Sequence, residues 1–351
     1  TQMLNTDKTE KEYEVIDLAR TNCELAELED LSIKSLQLDV DALVIFAGNN
    51  WIVDIRKSTE KEDYVQILAQ QDSGGMECVQ QWFSDKAYEL IKSFFQNISQ
   101  AKGDRNIPVI MVIPEFNLLD WKSSKEEQIL AFCKPEDRKA FELASIEHKK
   151  ALEKKDIVQA KGHAKLMIQI DPTNPLGYEN MAECFLIEEN YDEARSYLYK
   201  AIDTTIYYRT VSKPRCYSFI RKHILELAPQ YGIDIVDLPE VFGKYLHGKL
   251  PGGDLFIDYC HLTFRGILVA MSAIRNKLNA AIGGELPIEM DIDESMIPDN
   301  ELIGFAHFMA AVHNAHYGQP YERLLQLCQE AVHYSTEVKK LMRNYADFGT
   351  R

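Results

Sequence analysis

Two short stretches of this chain carry residue types that could do acid–base chemistry. The stretch GGDLFIDYCHLTFRG places Asp258 three residues before His261. A carboxylate at that spacing can hold an imidazole in one tautomer without help from another segment. Far upstream, the stretch VIFAGNNWI ends in Gly48, Asn49 and Asn50. A hydroxyl nucleophile must lose its proton during attack, and the oxyanion that forms must meet preorganised donors, so both stretches are candidates for one site.

The elements that must position these motifs follow from hydrophobic periodicity. Four short apolar or β-branched runs predict buried parallel strands: 14–18 (EVIDL), 42–47 (ALVIFA), 108–113 (PVIMVI) and 233–238 (IDIVDL). Helical patterns lie between them, and a single apolar stripe over 267–282 predicts a closing helix on one face of the sheet. This alternation predicts an α/β layer sandwich. The stretch that ends in Asn50 follows a predicted strand, and Asp258 and His261 lie just ahead of the closing helix. We expect both at the ends of the strands, where open α/β sheets place their ligand sites.

Between the third and fourth predicted strands the pattern is helical throughout. Ala160 and Ala194 lie 34 residues apart, which is the tetratricopeptide period. Two interpretations stay open: a groove that binds a peptide or protein, or a hairpin pair that packs on the layer sandwich, because fewer than three repeats do not form a self-supporting solenoid. A further helical hairpin, at about 301–345, is expected to stack on this insert.

Composition limits the classes of function. Acidic residues outnumber basic ones by 55 to 39, the net charge is −16 and no basic stripe is present, so we expect no nucleic-acid or membrane partner. No stretch approaches the ~18 apolar residues of a membrane span. The seven cysteines are scattered without metal-ligand spacing, which predicts reduced thiols and a cytoplasmic protein.

In order and context these motifs resemble blocks of the SGNH/GDSL hydrolase superfamily, in the subgroup with a tetratricopeptide-like helical insert. The resemblance rests on Gly-x-Asn at 48–50, Asp-x-x-His at 258–261 and the phrases VIPEFNLLDW and GIDIVDLPEVF between them. It implies a flavodoxin-like three-layer α/β/α domain with a parallel sheet. That domain would be formed by 1–121 and 213–283, with an all-α insert at 122–212 and a C-terminal helical extension at 284–351.

The resemblance implies a serine-dependent hydrolase or acyltransferase acting on an acyl ester or thioester, with no cofactor and no metal. His261 would be the general base and Asp258 would orient it. The side-chain amide of Asn50 and the backbone N–H of Asn22 would bind the oxyanion. Asn22 stands where the family has a glycine, and asparagine is the non-glycine residue that best tolerates a positive φ. The expected substrate contacts are Trp51, Gly48 and Arg20.

The Gly-Asp-Ser segment that carries the family's nucleophile is not in the sequence given. In the usual strand order, 2-1-3-4-5, that segment forms the central strand beside the one predicted at 14–18. We therefore expect the natural protein to carry it, with its serine, upstream. The nearest local match, Asp72-Ser73-Gly74, is interpreted as a turn.

Three hypotheses of function follow. The first is the hydrolase or acyltransferase, whose substrate would be an acylated small molecule. The second is acyl transfer to or from an acylated carrier protein. The third is a catalytically inactive SGNH scaffold that binds a protein partner through the insert.

Other candidates have two interpretations each. Trp51 either forms a wall of the site or belongs to the core. Cys260 adjoins His261, but neighbouring side chains on an extended loop should point apart, so we expect a buried thiol rather than a nucleophile. His307, His313 and His316 either form a metal site or simply pack in the protein. Arg209 and Arg215 either hold an anionic substrate or pair with acidic residues.

Overall fold

The computed structural model describes residues 13–20, 23–59, 63, 65–69, 75–130, 134–207, 215–282, 294–316 and 319–349. Within these ranges the strands are β1 (Leu43–Phe46), β2 (Val109–Ile113) and β3 (Asp234–Asp237). The helices before β3 are α1 (Leu25–Gln37), α2 (Trp51–Lys57), α3 (Met76–Lys102), α4 (Pro135–Glu153), α5 (Ile157–Ile170), α6 (Pro175–Ile187), α7 (Tyr191–Thr204) and α8 (Ser218–Leu227). Those after it are α9 (Leu238–Tyr245), α10 (Phe264–Ala281), α11 (Asn300–His316), α12 (Tyr321–Tyr334) and α13 (Val338–Gly349). The described chain is a mixed α/β protein with a helical majority.

The three strands form one parallel sheet in the order β1–β2–β3. Val44 pairs with Ile110, and Ile110 pairs with Asp234. Every residue of β2 is buried, as expected for the central strand of a parallel sheet with both faces covered. The strands predicted at 42–47, 108–113 and 233–238 are therefore confirmed, each one or two residues shorter than predicted.

The prediction of a strand at 14–18 is wrong. These residues are not in a strand, and Val15, Ile16 and Leu18 are 51%, 59% and 44% exposed. A strand needs a neighbour to bond its backbone N–H and C=O groups. This segment pairs with none of the three strands of the described sheet. The apolar pattern of these five residues does not show whether a partner strand lies beside them.

Side chains of β2 alternate between two apolar layers, because successive residues of a strand point to opposite faces. Val109, Met111 and Ile113 pack with the buried residues of α1, α3 and α8. Ile110 and Val112 pack with those of α9 and α10. Helices therefore cover both faces of β2, and the predicted closing helix is α10.

The two faces are covered unequally at β1. Ile45, on the side of α1 and α3, is 2% exposed. Val44 and Phe46, whose partners in the sheet are Ile110 and Val112, are 38% and 46% exposed. The outer edge of β1 also pairs with no strand among the described residues. Apolar side chains on an open edge are unusual in a parallel sheet, whose faces are normally covered.

Helices α4 to α7 form two helical hairpins, and the 34-residue register of the sequence recurs in their backbones. Lys155 and Glu189, one period apart, both have a φ of 58°. The next residues, Asp156 and Asn190, cap α5 and α7 by accepting a backbone N–H through a side-chain oxygen. The same turn and the same cap therefore occur twice.

The second hairpin packs on residues close to the candidate motifs. Leu198 and Ile202 of α7 share an apolar cluster with Phe116, Trp121 and Tyr259. Of the two interpretations of the insert, this contact favours packing on the layer sandwich.

The C-terminal helices contact the same region. Arg323 of α12 donates a hydrogen bond to the carbonyl of Asp120 at 2.5 Å, and its guanidinium lies 5.0 Å from the ring centre of Trp121. Asn314 of α11 bonds Asp258. Among the described residues the main contacts of these helices are therefore here. The expected stacking on the helices of the insert is not among their main contacts. No helix of the described part of the chain has the length and apolar character needed to cross a membrane.

Candidate active site

Asp258 and His261 lie on one turn of the loop that precedes α10. Nδ1 of His261 is 2.8 Å from Oδ2 of Asp258, which is completely buried, whereas the side chain of His261 is 55% exposed. An ionised carboxylate only accepts hydrogen bonds, so Nδ1 carries the proton. Nε2 lies on the opposite side of the ring from Asp258, and it presents a lone pair, as a general base requires, when the ring is neutral.

The carboxylate of Asp258 has a donor for each of its acceptor positions. Oδ1 accepts from the backbone N–H groups of Cys260 and His261, at 3.0 and 2.8 Å. Oδ2 accepts from His261 and from the side-chain amide of Asn314, the latter at 3.0 Å. Burial raises the pKa of Asp258, but the hydrogen bonds from His261 and the backbone outweigh burial and hold the pKa below its ordinary value. Asp258 is therefore ionised at neutral pH.

Asp258 in turn affects the imidazole. Its hydrogen bond to His261, followed by the contact with Cys260, raises the pKa of His261 above the ordinary value, while partial burial opposes the shift. The ring of His313 lies edge-on at 5.0 Å from that of His261. Burial and the neighbouring His261 lower the pKa of His313. With a pKa of about 11, His261 holds a proton at neutral pH, whereas the neighbouring His313 is neutral.

The loop is fixed to the residues that follow β2. The backbone N–H of Asn117 donates to the carbonyl of Tyr259 at 3.0 Å, and its side-chain amide donates to the carbonyl of Asp258 at 3.2 Å. Downstream, the hydroxyl of Thr263 caps α10 by accepting the N–H of Gly266 at 3.1 Å. A Cβ at Gly266 would overlap a backbone carbonyl of the loop, so glycine is needed for α10 to begin this close.

The turn after β1 requires glycine for two reasons. Gly48 has a φ of 139°, and a Cβ there would lie 3.1 Å from Cδ of Pro114 and 3.5 Å from Sγ of Cys216. The turn leads into α2 through Asn50. The side-chain amide of Asn50 makes no hydrogen bond with the described part of the chain, so it is available to a ligand.

The two motifs flank one short segment, 114–117. Gly48 approaches its first residue, Pro114, and Asn117 holds the loop of Asp258 and His261. No hydrogen bond joins Asn50 to that loop within the described ranges. Both motifs nevertheless lie at the carboxyl end of the parallel sheet, where open α/β sheets bind ligands.

The other predicted site residues are placed differently. Trp51 is 2% exposed and its ring lies 5.7 Å from that of Phe94, which favours the core interpretation. Arg20 is exposed, and its Nη1 lies 2.5 Å from Oε1 of Glu27. Asn22 lies outside the described residues, so its role stays a prediction.

Cys260 is closer to His261 than expected. Its Sγ lies 3.8 Å from Nδ1 of His261, so the expectation that the two side chains point apart is wrong. Asp258, Cys260 and His261 also present three potential metal ligands within 4.8 Å of one another. However, Nδ1 is already bound to Asp258, and burial raises the pKa of the Cys260 thiol, which disfavours the thiolate that a metal or a nucleophilic reaction needs.

The other histidines are separated. His307 stacks on Tyr334 with ring centres 5.5 Å apart, and Nδ1 of His316 lies 2.8 Å from the carbonyl of Val312 in its own helix. His313 stands beside the loop of Asp258 instead. This arrangement favours packing over a shared metal.

Arg215 forms a buried ion pair with Glu127, with 3.1 Å between Nη2 and Oε1 and side chains 3% and 2% exposed. Pairing is therefore the favoured interpretation for Arg215, although its partner is buried rather than on the surface. Arg209 and the Asp72-Ser73-Gly74 turn lie outside the described residues.

Two polar groups of this region were missed from the sequence. Asn314 lies in a helical extension whose pattern carries no signal for a contact with Asp258. Glu115 could have been found from the sequence, because it follows the central buried strand, and open α/β sheets place their ligand sites at the ends of strands. Burial raises the pKa of Glu115 to about 7, although hydrogen bonds at 2.7 Å from the hydroxyl of Tyr199 and the N–H of Phe116 oppose the shift.

The described site thus contains an ionised buried carboxylate, an imidazole that it orients, and an unbonded side-chain amide at the end of the neighbouring strand. These groups can accept a proton and stabilise negative charge. No protein-family model and no curated protein matches the chain.

Proposed function

We propose that this chain supplies the general base, the orienting acid and one oxyanion donor of a serine-dependent acyl-ester or thioester hydrolase or acyltransferase of the SGNH type. The observation that carries the proposal is the 2.8 Å contact between Nδ1 of a half-exposed His261 and the fully buried Asp258. A buried carboxylate that fixes the tautomer of an accessible imidazole is the arrangement that activates a hydroxyl.

In the proposed reaction, Nε2 of His261 accepts the proton of a serine hydroxyl while the serine oxygen bonds the acyl carbon. Asp258 stabilises the imidazolium, and the amide of Asn50 donates to the oxyanion. The bond to the leaving oxygen or sulfur then breaks, and His261 returns the proton to the leaving group. Water or an acceptor alcohol repeats these steps on the acyl-enzyme and releases the serine.

The nucleophile is proposed to lie on a segment outside the sequence given. None of the serines in the described ranges makes a hydrogen bond with His261. Val44 and Phe46 are exposed on one face of β1, and the outer edge of β1 is unpaired among the described residues. Both observations support a further strand beside β1 and a further element that covers this face. A strand beside β1 would end next to Gly48 and Asn50, which is where a nucleophile is needed.

The test uses the protein as expressed from its gene. We expect it to hydrolyse p-nitrophenyl acetate and to be labelled by a fluorophosphonate on a serine outside this sequence. His261→Ala should reduce turnover by roughly 10³-fold or more. His333→Ala is the matched control, because His333 is an exposed histidine of α12, and it should leave turnover unchanged.

Three results would count against the proposal: no hydrolysis together with no labelling, a label on a residue other than serine, or unchanged turnover in His261→Ala. The first would favour the inactive scaffold that binds a partner through the insert. Reaction with an acylated carrier protein but not with small esters would favour acyl transfer.

A further inference from the structure

A cavity of about 200 Å³ opens at the carboxyl ends of β2 and β3. Pro114 and Glu115 follow β2, Pro239 follows β3, and Tyr199 lines the cavity from α7. An apolar cavity of ~150 Å³ in a protein core holds a benzene molecule, so a small organic ligand fits here. Ligands of open α/β sheets bind at this end of the strands.

The cationic groups of the cavity are incompletely satisfied. Arg221 of α8 binds Asp237 through Nε and Nη2, at 2.9 and 2.5 Å. Its Nη1 makes no hydrogen bond with the described residues. Lys222, the next residue, is exposed, lines the cavity and has no ion pair in the described part of the chain. The charge of Arg221 is thus balanced by Asp237, whereas that of Lys222 is not. The cavity therefore favours an anionic ligand over a cationic one.

The acidic group of the cavity cancels only part of this charge at neutral pH. Glu115 is 4% exposed, and burial raises the pKa of Glu115 to about 7. The groups that face it are Tyr199 and Arg195 from α7 and Arg221 from α8. Near neutrality the carboxyl is therefore protonated about half of the time.

The rest of the lining is largely apolar and includes Pro114, Leu225 and Pro239. A ligand that satisfies the whole cavity has one negative group for the cations and a compact apolar group for these side chains. We propose that the cavity binds a small carboxylate, with its anionic end on Nη1 of Arg221 and on Lys222 and its apolar group against Pro114, Leu225 and Pro239.

Proton uptake follows from this arrangement. A bound anion beside Glu115 favours the neutral carboxyl, so binding raises its proton occupancy and affinity increases as pH falls from about 8 to about 6. The ligand carboxylate stays ionised over this range. Burial also raises the pKa of the neighbouring Cys216 and of Tyr199, which keeps both neutral, and Arg221 and Arg195 stay charged.

The test is calorimetric titration of the expressed protein with benzoate, and with benzyl alcohol as its uncharged counterpart. At about pH 7 we expect benzoate to bind at least about tenfold more tightly than benzyl alcohol, because hydrogen bonds to charged groups are the stronger ones. Lys222→Gln should weaken benzoate binding by about threefold. Lys165→Gln, at an exposed lysine of α5, should leave it unchanged.

Glu115→Gln mimics the protonated carboxyl, so it should keep the affinity for benzoate and abolish its pH dependence. If this variant does not fold, titrations of the unaltered protein in buffers of different ionisation enthalpy measure proton uptake directly. The proposal is overturned if benzoate does not bind by about 10 mM, if benzyl alcohol binds equally well, if Lys222→Gln has no effect, or if binding takes up no protons. Because every readout is binding, these outcomes are independent of hydrolysis.

Discussion

Two buried carboxyl groups at the same end of the sheet have pKa values shifted in opposite directions. Asp258 is 0% exposed and Glu115 is 4% exposed, so their burial is nearly equal. The pKa of Asp258 lies below its ordinary value, whereas that of Glu115 is raised to about 7. The difference therefore comes from their hydrogen-bond partners.

Asp258 accepts from two backbone N–H groups, from the amide of Asn314 and from the imidazole of His261. Glu115 accepts from one backbone N–H and from the hydroxyl of Tyr199. Each donor stabilises the ionised form, and only the larger set, which includes a group that can be cationic, overcomes desolvation. One carboxyl is thereby kept charged to orient a base, and the other titrates near neutrality.

The largest effect is expected for Asp258→Asn, which removes the charge that orients His261. The pKa of His261 should fall towards its ordinary value of about 6.5, because its main cause of elevation is lost. This shift is measurable by NMR titration. If the proposed hydrolysis holds, kcat should fall by about 10⁴-fold. Asp254→Asn, at an exposed residue of the same loop, is the control, and an unchanged titration of His261 would contradict the role given to Asp258.

Glu115→Gln should stabilise the protein at alkaline pH. The folded-state pKa of Glu115 is raised from 4.5 to about 7, so the folded state binds its proton more tightly and stability is lost as pH rises through that interval. The free energy of unfolding should increase by about 3 kcal/mol at about pH 8 and change little at about pH 4. Urea denaturation across this range measures both values.

The exposed Glu126 provides the matched substitution, Glu126→Gln, which should leave the pH dependence unchanged. Equal effects of the two substitutions, or a loss of stability in Glu115→Gln at alkaline pH, would mean that Glu115 is not held with a raised pKa.

Asn314→Leu tests the contribution of the C-terminal extension to the charged state of Asp258. It removes one donor from Oδ2 and should lower the free energy of unfolding by about 1–3 kcal/mol. The pKa of Asp258 should rise towards its ordinary value, so the stability that is lost between neutral and acid pH should be smaller than in the unaltered protein. Denaturation curves at neutral and acid pH measure this, with the exposed His316→Ala of the same helix as control. Equal acid sensitivity of the two variants would exclude a role for Asn314.

The sequence could predict the features that depend on residues close together in the chain. Asp258 and His261 are three residues apart, and the strands and the 34-residue register are carried by short-range patterns. The partners that set the two pKa values are distant in the chain: Asn314 is 56 residues from Asp258, and Tyr199 is 84 residues from Glu115. Such contacts depend on how helices pack on the sheet. The strand predicted at 14–18 failed for the same reason, since a strand also depends on a distant partner.

The smallest effect is expected for Tyr199→Phe, which removes a single donor from Glu115. The free energy of unfolding should fall by about 1 kcal/mol at about pH 5, where the carboxyl is protonated, because one hydrogen bond is lost. The pKa of Glu115 should rise further, since the hydroxyl of Tyr199 lowers it. The decline in stability therefore begins at the same pH but continues to a higher pH, and the total loss by about pH 9 increases. Tyr197→Phe on the same helix is the control, because Tyr197 stacks on Phe185 at 5.5 Å and does not bond Glu115. If both variants keep the original pH profile, the hydroxyl of Tyr199 does not stabilise the ionised form, and the number of donors does not explain why Glu115 differs from Asp258.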